Sequence, residues 1–129
     1  MLLRDDRPRK GHGGLQYRQA WSFKDDAEDE IRRQLETCPR PVVHLCSGAS
    51  RVGDVHADIH HPGADVRADA RRPPFRGVGT VVMDPPWKMP VDARWEFVRG
   101  ALSAIRPGGV LLLYAPWMPQ ISRSCELEG

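Results

Sequence analysis

The stretch Gly79-Thr80-Val81-Val82-Met83-Asp84-Pro85-Pro86-Trp87 constrains this chain more than any other. Val81, Val82 and Met83 suit a buried strand. Pro85 and Pro86 then end it abruptly, because neither has an N–H to donate to a sheet ladder. A rigid turn follows, carrying one carboxylate (Asp84) and one large aromatic (Trp87). In open α/β sheets the carboxyl ends of strands are where ligands bind.

The chain has 129 residues, which suits one domain with a modest core. With 40% hydrophobic and 28% charged residues it has the composition of a soluble globular protein. No apolar run approaches the length of a membrane span, and the N-terminus lacks the apolar core of a secretory signal. A net charge of +2 permits nucleic-acid binding without arguing for it. Cys38, Cys46 and Cys125 are odd in number and form no CxxC pair. They fit free thiols in a reducing, cytoplasmic setting better than a disulfide framework or a zinc site.

Residues 1–20 read as a flexible basic arm around Arg4, Arg7, Arg9 and Lys10, and 21–129 as a single domain. A helix is expected from Ser22, with Asp25 completing a capping box. Phe23, Ala27, Ile31 and Leu35 form its apolar stripe, and Glu28–Arg32 and Asp29–Arg33 are its charge pairs. Pro39 and Pro41 end it. Val42-Val43-His44-Leu45 reads as a first strand, with weaker strands at 55–58 and 65–69 and a fourth at 79–84. Val91, Trp95, Val98, Leu102 and Ile105 mark a second helix, with Asp92 as its cap and Pro107-Gly108-Gly109 as its stop. Val110 to Tyr114 is a fifth strand. This alternation predicts an α/β, Rossmann-like, three-layer parallel sheet of about five strands. Only about ten residues separate the first two strands, so the first crossover must be shortened and lack its usual helix.

Five groups of residues could carry chemistry. His44-Leu45-Cys46-Ser47-Gly48 ends a strand in a small-residue turn. Asp58 and Asp69 follow, and each also suits a capping or surface role. Asp84-Pro85-Pro86-Trp87 comes last. His56, Asp58, His60 and His61 are good metal ligands by type, but their spacing matches no zinc hydrolase pattern and no metal site is expected. Arg71, Arg72 and Arg76 could contact phosphates or simply be solvated.

Asp84-Pro85-Pro86-Trp87 resembles the catalytic motif of the amino-methyltransferases that use S-adenosyl-L-methionine (SAM) on adenine N6 or cytosine N4. Residues Val42 to Trp117 resemble small Rossmann-class SAM methyltransferases. Arg106-Pro107-Gly108-Gly109 before an apolar strand is another feature of that class. The resemblance implies that His44, Cys46, Ser47 and Gly48 hold the methionine part of SAM. It implies that Asp58 accepts bonds from the ribose hydroxyls and that Asp69 lies near the adenine. Asp84 and the carbonyl of Pro85 would accept the two N–H groups of an exocyclic amine, aiming its lone pair at the methyl group. Pro86 completes the turn, and Trp87 would stack on a base swung out of its duplex.

The implied activity is SAM-dependent methylation of a nucleobase amine, with DNA adenine N6 as the first target and DNA a likelier partner than RNA. Two alternatives stay open: a catalytically silent SAM-fold subunit, and a methyltransferase of a small-molecule or protein amine. The class adds a C-terminal hairpin beside the fifth strand, and this chain stops at Gly129. The fifth strand is therefore expected at a bare sheet edge, open to a second copy or a partner subunit.

Overall fold

The computed structural model describes residues 25–86, 88–115, 117 and 125. The expected basic arm, Ser22, Phe23 and Trp87 lie outside the described residues. Helix α1 (Asp25–Leu35) leads into β1 (Val42–Leu45), β2 (Val55–Asp58), β3 (Val66–Arg67) and β4 (Val78–Met83). Helix α2 (Val91–Ala104) runs directly into β5 (Ile105–Leu113). Every strand pair is parallel, in the order β3-β2-β1-β4-β5. The expected α/β, Rossmann-like architecture is therefore present. Among the described residues β5 pairs only with β4, and no helix is long and apolar enough to cross a membrane.

Alternation along the central strands sorts the core into two layers. Val42 and Val82 pack with Ile31 and Leu35 of α1 on one face. Val43, Leu45, Val81 and Met83 pack with Ala101 and Ala104 of α2 on the other. Because both faces are covered, β1 and β4 are buried along their whole length. That is why they read as largely apolar runs, interrupted by His44 and Thr80, rather than as an alternating pattern. Burying each such side chain contributes about 1.5–3 kcal/mol.

The first crossover, residues 46–54, contains no helix, as its length demands. Hydrogen bonds from an aspartate close it instead. Asp54 accepts the Val42 N–H at 2.8 Å, and its own N–H donates to the Val42 carbonyl at 2.8 Å. Arg40 reaches both Asp54 oxygens at 2.8 Å. These bonds hold the start of β2 against the start of β1.

Helix details depart from expectation. In α1, Arg32 pairs with Glu28 at 2.6 Å as foreseen, but Arg33 pairs with Glu30 rather than Asp29. The helix stops at Leu35, ahead of both prolines. In α2 the residue before the first turn is Pro90, and no side chain caps the helix, so Asp92 serves only as first-turn charge. Val91 and Leu102 are exposed, and the buried stripe is Val98, Gly100, Ala101 and Ala104. Small residues win because α2 lies tight on the 70–71 backbone: a Cβ on Gly100 would stand 2.2 Å from the Ala70 carbonyl oxygen.

Ile105 belongs to β5, not to the helix. Pairing passes from Val78↔Ile105 to Thr80↔Val110, so Arg106-Pro107-Gly108-Gly109 bulges out of the ladder. Gly108 has φ +82°, and a Cβ on Gly109 would meet the Gly79 carbonyl oxygen at 2.6 Å. Glycine is what permits both the left-handed turn and the close approach.

Candidate active site

Strand order reverses between β1 and β4. From β1 the chain steps outward to β2 and β3, then returns across β1 to β4 and continues the other way to β5. A crevice at the carboxyl ends of such a strand pair is the usual ligand site of an open α/β sheet. Leu45 lies opposite Met83 in the ladder. Cys46 and Asp84 are the next residues of each strand, so the small-residue turn and the Asp-Pro-Pro turn leave the sheet side by side.

The β1 turn is built for close approach of a ligand to backbone. Cys46 has φ +56° and Gly48 φ +54°, both left-handed. For a non-glycine residue such as Cys46 this conformation costs about 1–2 kcal/mol. The turn is fixed from β2: the Ser47 N–H donates to the Ala57 carbonyl at 3.1 Å, and the Gly48 N–H donates to Asp58 Oδ2 at 2.8 Å. Asp58 Oδ1 accepts the N–H groups of His60 and His61, each at 2.8 Å. A carboxylate has about four lone-pair directions, and these bonds use all but one. Asp58 thus organises the turn and retains capacity for a single further donor on Oδ2. That leaves room for one direct bond where the expectation was a pair from ribose hydroxyls.

On the β4 side, Asp84 is 2% exposed and Pro85 is buried, while Pro86 is half-buried. Tyr114, at the end of β5, donates its N–H to the Met83 carbonyl at 3.0 Å and its phenol to Gln34 Oε1 of α1 at 3.1 Å. Burial, reinforced by its electrostatic interactions with Glu30, Cys38 and Asp84, pushes its phenol up to about 12. Tyr114 is therefore a neutral donor beside the Asp84 turn.

Two expected cofactor contacts sit elsewhere. His44 is 0% exposed, within β1 on the face covered by α1. Burial first, and then the neighbouring His56, lower its pKa to about 3, so it is a neutral core residue beneath the site. Asp69 is held by Arg71, which bonds both its oxygens, the shortest contact being 2.7 Å. Arg71 also reaches Glu96 at 3.5 Å and covers the Phe97 ring at 5.8 Å. Asp69 thereby fastens the loop after β3 to α2. The reason sequence could not foresee this is that the partner stands only two residues away and any turn could have parted them.

Two members of the histidine group are engaged through Nδ1. His56 Nδ1 bonds Asp65 Oδ2 at 2.7 Å, and His61 Nδ1 accepts the Gly63 N–H at 3.0 Å. Among the described residues no three His, Cys, Asp or Glu side chains gather as a metal site.

Sequence reading passed over Tyr114, Arg94 and Trp117. Arg94, in the first turns of α2, lies over the Trp117 ring at 5.4 Å. The signal for Trp117 was an echo: β4 continues as Asp84-Pro85-Pro86-Trp87, and β5 as Tyr114-Ala115-Pro116-Trp117.

No protein-family model, curated protein or solved structure matches this chain. The geometry therefore carries the functional argument. It combines a largely buried left-handed turn, a carboxylate with one acceptor site left, and a second carboxylate on a proline-stiffened turn, all at the carboxyl ends of the central strands. Such a set can hold a polar, hydroxyl-bearing cofactor on one side and orient an N–H-bearing substrate on the other.

Proposed function

We propose that this chain is a SAM-dependent methyltransferase acting on the exocyclic amine of a nucleobase, with adenine N6 of DNA as the first target. One observation carries the reading: the Cys46-Ser47-Gly48 turn and the Asp84-Pro85-Pro86 turn lie side by side where the strand order reverses. SAM, when bound, supplies an electrophilic methyl group on a sulfonium. The residues present suit it. The left-handed Cys46–Gly48 backbone admits the methionine part closely, and Asp58 has one acceptor direction left for a ribose hydroxyl.

Asp84 accepts one N–H of the target amine, and the Pro85 carbonyl accepts the other. Both bonds draw the nitrogen toward a tetrahedral shape and stabilise the positive charge that grows on it during transfer. The prolines hold the two acceptors in a fixed relation, which supplies orientation without further ordering. Burial of Asp84 strengthens its interaction with that charge. Trp87 provides the stacking surface for the base in this reading.

Calorimetry with SAM tests the cofactor half, and transfer of labelled methyl groups to DNA, RNA and free nucleotides tests the substrate half. Micromolar SAM binding and labelled DNA are expected. Asp84→Ala should lower turnover by at least about a hundredfold while SAM affinity stays within a few fold. Full activity in that variant refutes the role of Asp84. The near-complete burial of Asp84 also favours a second reading, a SAM-fold module without catalysis. SAM binding with no transfer to any amine substrate selects it.

A further inference from the structure

Arg94 is the only arginine among the described residues that is not exposed. Several exposed arginines end on an acceptor: Arg40 on Asp54, Arg71 on Asp69, Arg106 on the Arg40 carbonyl. Arg94 has no hydrogen-bond or ion-pair partner for its guanidinium among the described residues. Its Nε and the indole Nε1 of Trp117 are both shut off from solvent with no acceptor. Leaving such donors unsatisfied costs free energy that the fold does not recover. The placement is also unfavourable locally, because a cation near the start of α2 opposes the helix dipole.

What the pair does have is position. Residues 84–90 run from the Asp84 turn straight into α2, and Trp117 follows the strand beside β4. Arg94 and Trp117 thus clamp together the two chain segments that leave the sheet next to Asp84. The indole packs against the guanidinium at 5.4 Å, and a guanidinium fork matches the paired oxygens of a phosphate.

We propose that Arg94, held by Trp117, is a substrate-binding residue that takes a backbone phosphate of the nucleic acid beside the target base. The assignment rests on the methyltransferase reading of the neighbouring turn for the class of substrate. The phosphate bonds the Arg94 Nη groups, which unlike Nε are not sealed from solvent, and it sets the register that places the base over Asp84.

The test is a fluorescence-anisotropy titration of the full chain with a labelled single-stranded DNA of about 12 nucleotides, from about 50 to about 200 mM salt. Arg94→Gln should weaken binding about tenfold and reduce the slope of log K against log salt by about one. Arg94→Lys keeps the charge without the fork and should fall between the two. Trp117→Phe retains an aromatic face and loses Nε1, and should weaken binding by a few fold with the salt slope unchanged. If Arg94→Gln does not fold, by its thermal transition, Arg94→Lys and Trp117→Phe decide the matter. Unchanged affinity and slope in the folded variants, or wild-type chain that does not bind DNA, overturns the proposal. SAM calorimetry on the same proteins keeps the two readings apart. Arg94-dependent DNA binding in a chain that ignores SAM removes the methyltransferase and leaves the phosphate site standing.

Discussion

The two sides of β1 solve the same problem by different means. A parallel neighbour requires the chain to return to the start of the sheet, and a helix usually makes that journey. On the β4–β5 side it does: α2 spans the return and buries Ala101 and Ala104 against Val81 and Met83. On the β2–β3 side no helix is present between strands, and aspartates replace it. Asp54 grips Val42, Asp58 grips Gly48, His60 and His61, Asp65 grips His56, and Asp69 grips Arg71. One half rests on apolar packing and the other on charged acceptors for backbone N–H groups. The polar half also forms the proposed cofactor side, so fold and binding share the same carboxylates.

Several measurements can break this contrast. Asp58→Ala removes one acceptor from the N–H groups of Gly48, His60 and His61 and should cost about 3 kcal/mol in urea unfolding, with loss of SAM binding. A loss under 1 kcal/mol would mean that the polar half does not depend on its aspartates. Gly100→Ala addresses the seam between the halves. Alanine in a helix is ordinarily stabilising by about 1 kcal/mol, but here its Cβ would strike the Ala70 carbonyl. We expect a net destabilisation of about 2 kcal/mol and a lower thermal midpoint. A rise in midpoint would show that α2 does not press on the 70–71 backbone.

The pH profile gives a graded effect, smaller than these over the window from about pH 6.5 to about 5. His44 has a folded pKa of about 3, below its usual 6.5, so the folded state binds the proton less readily than the unfolded chain. Its neutral form is fully compatible with the fold above pH 6.5, and stability falls as pH drops from there toward 3. The slope from this one group is at most about 1.4 kcal/mol per pH unit. Asp54, Asp65 and Asp69 are held below the usual carboxylate value by the Val42 N–H, the His56 N–H and the Arg71 guanidinium respectively. Their contribution is present above the ordinary carboxylate pKa and is lost below it, so it adds a second, steeper loss at lower pH. In His44→Gln, urea midpoints between pH 6.5 and 5 should flatten while the acid limb persists. An unchanged slope there would remove His44 from the account. Cys46→Val is the mildest test. A β-branched side chain at φ +56° should cost about 1 kcal/mol more than cysteine in the same unfolding assay.

Much of the fold was legible because hydrophobic patterning is local. Val42-Val43 and Val81-Val82-Met83 had to be buried strands, whatever their neighbours, whereas Val110 to Leu113, expected buried too, is a strand left half-buried with β4 as its one partner among the described residues. The short segment after Leu45 excluded a helix by length alone. Helix α2 was harder, since its stripe was read from large residues and the interface uses Gly100, Ala101 and Ala104. Whether a helix face prefers bulk or closeness depends on what lies opposite, and Ala70 is about thirty residues away in the chain.

The sequence by itself determined the strands, their parallel character and the order in which the turn, the acids and Asp-Pro-Pro-Trp appear. Apolar run length and proline placement dictate these without reference to the rest of the chain. Only the tertiary structure decided that β1 and β4 are neighbours, which puts Cys46 beside Asp84. It also decided how each polar group is satisfied: Asp58 on the Gly48 turn, Asp69 on Arg71, His44 neutral in the core, and Arg94 over Trp117 without an acceptor. A hydrogen bond or ion pair acts over about 3 Å, and nothing in the spacing of residues fixes which distant group arrives within that reach.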